Sequence, residues 1–300
     1  MGTSRRGFLK WLLAAGAVAT LPPRPAAAST ETFDEYPDRF GVLADLSRCI
    51  GCRSCEAACN EANKLPKPDK PFDDTSVFDA KRRTTAGAYT VVNRYEQPQG
   101  EPVFRKIQCN HCNEPACASA CLVKAYTKTP EGAVVYNPDL CIGCRYCMLA
   151  CPFSVPAYEY DNPTTPRIRK CTMCHERVKK GGVPACVEAC PVETIVFGKR
   201  AELIEVARER IKNDPAKYQP HIYGEREVGG TSWLYLSSVP FDQVGFKTNL
   251  GTTPYPELTR GFLSAVPLVL VLWPALLGGF SLFADKKGEP APKPGEEVRK

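Results

Sequence analysis

The hydrophobic and polar positions divide the chain into two long apolar runs, one near each end, and a middle part of short apolar segments. Because the short segments end at turn-forming residues, they predict strands. The predicted strands are 42–44, 88–95, 125–127, 134–136 and 195–197. Residues 201–212 instead repeat apolar side chains at helical spacing and predict an amphipathic helix. We therefore expect an α+β fold.

The apolar run near the N-terminus, 11–21, follows a basic stretch and precedes small residues that end at Ala28. This order is typical of a secretory signal peptide, and the run is too short to span a bilayer. Residues 4–10, Ser-Arg-Arg-Gly-Phe-Leu-Lys, resemble the twin-arginine export signal. We expect residues 1–28 to be this signal, with cleavage after Ala28.

The apolar run near the C-terminus, 261–283, contains no charged residue. As a helix it would reach roughly 34 Å at about 1.5 Å per residue, enough for a hydrocarbon core of about 30 Å. A buried core helix is the alternative. We expect a transmembrane helix, with residues 284–300 as a cytoplasmic tail because Lys286 and Lys287 follow the span.

The formal net charge of +6 is concentrated near the N-terminus, because residues 1–28 contain four basic residues and no acidic one. The rest of the chain is nearly balanced. This distribution lacks the basic surface that nucleic-acid binding requires, so no nucleic-acid partner is expected.

Cysteine is the unusual component, with sixteen residues that fall into four sets of four. The first set is Cys49, Cys52, Cys55 and Cys59; the second is Cys109, Cys112, Cys117 and Cys121. The third is Cys141, Cys144, Cys147 and Cys151; the fourth is Cys171, Cys174, Cys186 and Cys190. The first and third have the C-x2-C-x2-C-x3-C spacing of bacterial ferredoxins, which predicts four [4Fe–4S] clusters with all sixteen cysteines as iron ligands.

Two other uses of these cysteines remain as alternatives. Disulfides would suit an exported protein, but C-x2-C bridges close very small loops and stabilise little. Paired C-x2-C motifs also build four-thiolate zinc sites, although such sites do not require the x2-x2-x3 run that occurs twice here.

His111 and His175 stand beside cluster cysteines, but they are not expected to bind iron because every set of four cysteines is already complete. Arg53, Arg145 and Lys170 are expected to offset cluster charge, with a solvated surface role as the alternative for each.

An internal repeat indicates how the four sets pair. The first and third sets both read C-I-G-C-R-x-C-x-x-A-C, and the second and fourth share Pro-Ala-Cys-x-x-Ala-Cys. In ferredoxins the fourth cysteine of one motif binds the cluster of the other, so a tandem and a nested pairing are both possible. The strand–turn–strand pattern of 125–136 joins the second set to the third as one unit, which favours nesting. The nested ligand sets are Cys49, Cys52, Cys55 with Cys190; Cys171, Cys174, Cys186 with Cys59; Cys109, Cys112, Cys117 with Cys151; and Cys141, Cys144, Cys147 with Cys121.

This pairing predicts two bacterial-ferredoxin-like dicluster domains, one nested in the other. The outer domain is 29–59 with 152–213, and the inner domain is 107–151. The remaining parts are an insert at 60–106, a connecting segment at 214–260 and the transmembrane helix at 261–283.

With these motifs the chain resembles the four-cluster iron–sulfur subunits of membrane oxidoreductases, a group that includes the formate dehydrogenase-N beta and dimethyl sulfoxide reductase subunits. Stretches 144–148, 181–186 and 221–231 make it most similar to the hydrogenase-2 type. The resemblance implies nested pairing and electron transfer between a periplasmic catalytic subunit, hydrogenase-like, and a multi-spanning quinone-reactive membrane subunit. A formate dehydrogenase, another molybdopterin enzyme or a multihaem cytochrome complex is the alternative.

No nucleophile–base pair, phosphate-binding loop or flavin motif occurs, so we expect an electron-transfer subunit without a catalytic site of its own. A zinc-binding structural adaptor is the alternative from another class. The expected location is the periplasmic side of a bacterial inner membrane, with one span and a cytoplasmic C-terminus.

Metal analysis tests the cluster prediction. We expect sixteen irons per chain in anaerobically purified protein, together with a brown absorbance near roughly 400 nm from iron–sulfur charge transfer. Chiefly zinc, or eight irons or fewer after careful reconstitution, would contradict it.

Overall fold

A computed structural model describes residues 39–98 and 100–284. The predicted signal peptide, 1–28, and residues 285–300 of the predicted tail lie outside the described residues. The strands are β1 Phe40–Asp45, β2 Val91–Tyr95, β3 Val103–Ile107, β4 Tyr126–Lys128, β5 Val134–Tyr136, β6 Ala157–Tyr158, β7 Ile168–Arg169, β8 Ile195–Lys199 and β9 Trp233–Leu236. The helices are α1 Ser54–Ala62, α2 Ala116–Ser119, α3 Tyr146–Ala150, α4 His175–Lys179, α5 Ala185–Glu188, α6 Arg200–Asn213 and α7 Tyr255–Ala284.

A three-stranded sheet with the order β8-β1-β9 forms the largest core. Strand β1 lies in the middle, antiparallel to β8 with Val42 opposite Phe197, and parallel to β9 with Val42 opposite Trp233. The strands predicted at 42–44 and 195–197 are thus present, and they pair with each other. The predicted helix at 201–212 is α6, which packs on this sheet.

Strand β9 lies in the segment 214–260, to which the sequence analysis assigned no regular element. All four of its residues are almost fully buried. Trp233 and Tyr235 pack on one face with Val42, and Leu234 and Leu236 pack on the other with Leu43. A strand covered on both faces is apolar without alternation, so its sequence lacks the period of two that identifies a half-exposed strand.

Two hairpins complete the parts that surround the cysteines. Strands β2 and β3 pair antiparallel. The strand expected over 88–95 is present as β2 but is shorter than predicted, and the sequence analysis did not identify its partner β3. Strands β4 and β5 pair as predicted between the second and third cysteine sets. Their turn is closed by the Thr129 N–H, which donates to the Ala133 carbonyl oxygen at 2.8 Å.

Helix α7 is long and apolar enough to cross a membrane over Tyr255–Ser281, with a mean hydropathy of 2.0 in its most apolar window. None of that window is buried, which contradicts the alternative of a core helix. Pro267 and Pro274 lie inside the helix, and it begins earlier than the predicted residue 261. The helix therefore fits a membrane anchor.

Candidate metal centres

All sixteen cysteines lie in the described part of the chain, and none forms a disulfide. The structure brings them together in four groups. Group A is Cys49, Cys52, Cys55 and Cys190, which line one cavity. Group B is Cys59, Cys171, Cys174 and Cys186, which line a second. Group C is Cys109, Cys112, Cys117 and Cys151, which line a third. Group D is Cys121, Cys141, Cys144 and Cys147, in which Cys147 lies near the other three.

The spacing of these thiols fits a polynuclear cluster better than a single zinc ion. A zinc ion draws four sulfur atoms to about 2.3 Å from one point. Among the described residues, no three Cys, His, Asp or Glu side chains are placed to hold one ion. The four cysteines of each of groups A, B and C instead line a common cavity, and four thiolates are the donor set of a [4Fe–4S] cluster.

The two C-I-G-C-R loops that carry most of groups A and D have the same local structure. Each follows a strand and starts at a side-chain cap: Asp45 accepts from the Ser47 N–H, and Asn137 accepts from the Asp139 N–H. The predicted strands 42–44 and 134–136 are thus each followed by a turn, at Asp45 and Asn137. Gly51 and Gly143 then adopt left-handed φ angles of 71° and 72°. A glycine reaches this conformation without strain, and here the backbone turns so that its cysteines face one centre.

Arg53 and Arg145, in the same loops, have identical left-handed φ angles of 61° but different surroundings. The Arg53 guanidinium is buried and donates to the carboxylate of Glu56 and to the carbonyl oxygens of Pro71 and Asp74. It therefore holds the insert onto helix α1. Arg145 is exposed, and its guanidinium carbon lies over the Tyr158 ring, 5.4 Å from the centroid. The expected offsetting of cluster charge by these two arginines remains a prediction.

Backbone N–H groups point at the cysteine sulfurs in three of the groups. The donor–sulfur distances are 3.3 Å for Thr194 to Cys190, 3.3 Å for Met173 to Cys171, 3.2 Å for Ala125 to Cys121 and 3.4 Å for Gly143 to Cys141. Such bonds stabilise negative charge on sulfur and raise the reduction potential of a bound cluster.

Burial opposes the ionisation of these thiols. It raises the pKa of Cys49 to about 11 and that of Cys59 to about 12. Without iron, these two thiols are therefore protonated at neutral pH, and cluster binding must release their protons. Cluster retention is accordingly favoured as the pH rises and opposed as it falls.

Further basic side chains and two imidazoles lie near the groups. Lys170 lines the group C cavity, and its ammonium donates to the Val134 and Cys171 carbonyl oxygens. His111 is fully buried, and its Nδ1 accepts from the Val134 N–H at 2.8 Å, so it serves the hairpin. The Nδ1 atom of His175 lies 3.9 Å from Oε2 of Glu131. Lys106, which the sequence analysis did not identify, is buried and lines the cavities of both group A and group B.

The groups follow one another in a row. Lys106 lies between A and B; Cys59 and Cys171 of B pack with Cys109 of C; and Cys117 of C packs with Cys147 of D. The two end groups each have an exposed cysteine, Cys52 in A and Cys144 in D. Large exposed apolar side chains surround group D: Leu122, Leu140, Ile142, Tyr146 and Leu149.

Comparisons with known proteins agree with this arrangement. Residues 101–200 match the 4Fe-4S dicluster domain family, and residues 2–22 match the twin-arginine translocation pathway signal sequence. A protein of Nitratidesulfovibrio vulgaris is 53% identical over 98% of this chain and 81% of its own length. The hydrogenase-2 operon protein HybA of Escherichia coli O157:H7 is 34% identical over 80% of this chain and 83% of its own length. The nitrate-inducible formate dehydrogenase iron-sulfur subunit of Escherichia coli K12 is 36% identical over 67% of this chain and 69% of its own length.

These matches confirm three predictions made from the sequence. The signal sequence is of the twin-arginine type, which implies export. The resemblance to hydrogenase-2 and formate dehydrogenase iron–sulfur subunits is confirmed. The dicluster domain and the sixteen cysteines fit four [4Fe–4S] clusters.

The Tyr126 hydroxyl provides a test of sulfur hydrogen bonding in group D. Burial raises its pKa, so it stays protonated and donates to Cys147 Sγ at 3.6 Å. Tyr126→Phe should lower the reduction potential of the cluster next to Cys147 by roughly 40 mV, the equivalent of about 1 kcal/mol for one electron. EPR-monitored redox titration measures this, and Tyr146→Phe, at a half-exposed ring, serves as control. An unchanged potential in the Tyr126 variant would contradict the role.

Proposed function

The chain belongs to the family of iron–sulfur proteins that includes HybA and the formate dehydrogenase iron–sulfur subunits, and we propose that it carries electrons between a periplasmic catalytic subunit and a quinone-reactive membrane subunit. The catalytic partner is hydrogenase-like in this proposal. The HybA match covers 80% of the chain, against 67% for the nitrate-inducible formate dehydrogenase subunit, and this favours the hydrogenase type. A formate dehydrogenase complex is the second candidate.

The ligand sets that we propose are groups A, B, C and D, in the nested arrangement. Three of the cavities are each lined by the four cysteines that nesting joins, including those far apart in the chain. The pairing of β1 with β8 supports the same arrangement, because it brings the first cysteine set next to the last. The outer and inner ferredoxin-like domains follow from this proposal.

The observation that carries the proposed function is the row of four cysteine groups with an exposed cysteine at each end. A [4Fe–4S] cluster, when bound, takes up and releases one electron at a time. The chain's own contribution is to hold the groups in series, to bury three of the four cysteines of group B, and to direct N–H groups at the sulfurs. Such an arrangement transfers electrons and needs no substrate site.

Group D is the end that we assign to the membrane partner. Helix α7 contacts α2, which contains Cys117 and leads directly into Cys121 of group D. The exposed apolar side chains around group D suit a protein interface. Group A, at the other end, is then assigned to the catalytic partner.

The quinone site is assigned to the partner and not to this chain. The span 261–283 contains no histidine, methionine or ionisable residue, so it offers no haem ligand and no proton carrier for quinone chemistry. In this proposal the exported chain lies on the periplasmic side, with α7 as its single span and a cytoplasmic C-terminus.

The nested pairing predicts an effect outside the variant's own motif. Cys59→Ser should alter the spectrum of the cluster held by Cys171, Cys174 and Cys186, because Cys59 lines their cavity. The matched control is Cys55→Ser, which should alter only the group A cluster. A crystal structure or EPR assignment that puts Cys59 on a cluster with Cys49, or with Cys109 as in tandem pairing, would refute the proposal.

Truncation tests the function itself. Removal of residues 261–300 should release a soluble protein that keeps sixteen irons and accepts electrons from its donor, because the cysteine groups lie outside α7. Quinone reduction by the assembled complex should fall to background. If the truncated protein alone reduces quinone analogues at the full rate, it carries its own quinone site and the proposal fails.

A further inference from the structure

Lys106 occupies an unusual position for a lysine. It lies on strand β3, and only 5% of its surface is exposed. Its side chain lines the group A cavity and also the group B cavity, so it stands between two sets of four thiols. Among the described residues, no other lysine lines both cavities.

The neutral surroundings of Lys106 do not balance its charge. Its ammonium donates to Gln108 Oε1 at 3.1 Å and lies 4.6 Å from the centre of the Trp233 ring. Gln108 is itself buried and donates to the Tyr235 hydroxyl. Across 39–98 and 100–284, no carboxylate forms an ion pair with Lys106. An ammonium buried without a counter-charge is strongly disfavoured, so negative charge must come from another source.

The cysteines of groups A and B supply that charge. When they bind iron, the cysteines that line these cavities with Lys106 are thiolates: Cys55 in group A, and Cys59, Cys171 and Cys186 in group B.

We propose that Lys106 is a fixed positive charge shared by the clusters of groups A and B, and that it raises the reduction potential of both. This inference rests on the proposed ligand sets. A cluster with four thiolates gains a further negative charge on reduction, so a nearby ammonium stabilises the reduced state more than the oxidised state. Because the ammonium adjoins both cavities, one residue acts on two neighbouring clusters.

Lys170 gives the proposal an internal comparison. It is also buried, at 4% exposure, but it lines the group C cavity. Its effect should therefore fall on the cluster of group C. Comparison of Lys106 variants with Lys170 variants therefore separates an effect of charge on all clusters from an effect on the nearest clusters.

The test uses the full-length protein and EPR-monitored redox titration of all four clusters, assigned with the cysteine-to-serine variants. Lys106→Met and Lys106→Gln remove the charge, whereas Lys106→Arg keeps it. The two neutral variants should make reduction of the A and B clusters about tenfold less favourable, which is a shift of about 59 mV to lower potential for one electron. The C and D clusters should be unchanged, and the arginine variant should stay close to the wild-type potentials. Lys170→Met should shift the C cluster and leave A unchanged.

If a variant does not assemble all four clusters, its iron content tests the proposal instead. Loss of iron from A and B in both neutral variants, with full iron in Lys106→Arg, supports the shared counter-charge. Loss in all three variants shows a steric role and overturns it. Sixteen irons with no shift, or an equal shift of all four clusters, also overturns it. If titration of the wild type finds fewer than four clusters, the proposed function fails independently of Lys106.

Discussion

The pairing of strand β1 with β8 determines which cysteines meet. Strand β1 ends at Asp45, just before the first cysteine loop, and β8 begins just after Cys190. Asp45 N–H donates to the Thr194 carbonyl oxygen at 2.8 Å, so the end of one motif is held against the start of another. Asp45 also accepts from Arg210 and from the Tyr218 hydroxyl, which ties this junction to α6 and the segment after it. Residues distant in the chain thereby surround one cavity.

Away from this sheet, the structure has little regular secondary structure to stabilise it. Helices α2 to α5 have four or five residues each, and helices this short are unstable on their own in water. The cysteine groups lie at these helices, so cluster binding contributes directly to folding there. This agrees with an export signal of the twin-arginine type.

The sequence predicted the parts of the structure that depend on local patterns. The cysteine spacing, the β4–β5 hairpin, the turns at Asp45 and Asn137, and the long apolar helix all follow from neighbouring residues. Strand β9 was not predicted, because burial on both faces removes the alternation that marks a strand. Lys106 was not predicted either. A lysine three positions before a cysteine is ordinary in a sequence, and only the tertiary structure shows that it adjoins two cavities.

The connection between β9 and α7 limits how the chain can move above a membrane. After β9, Phe241, Val244, Phe246 and Leu250 are all buried, and Phe246 packs against the rings of Tyr223 and Tyr235. The chain thus stays attached to the core until shortly before Tyr255, where α7 begins. Because only residues 251–254 separate Leu250 from α7, the fold restricts how far the cysteine groups can lie from this helix. It thereby also restricts the distance over which an electron must tunnel to an acceptor beside the helix.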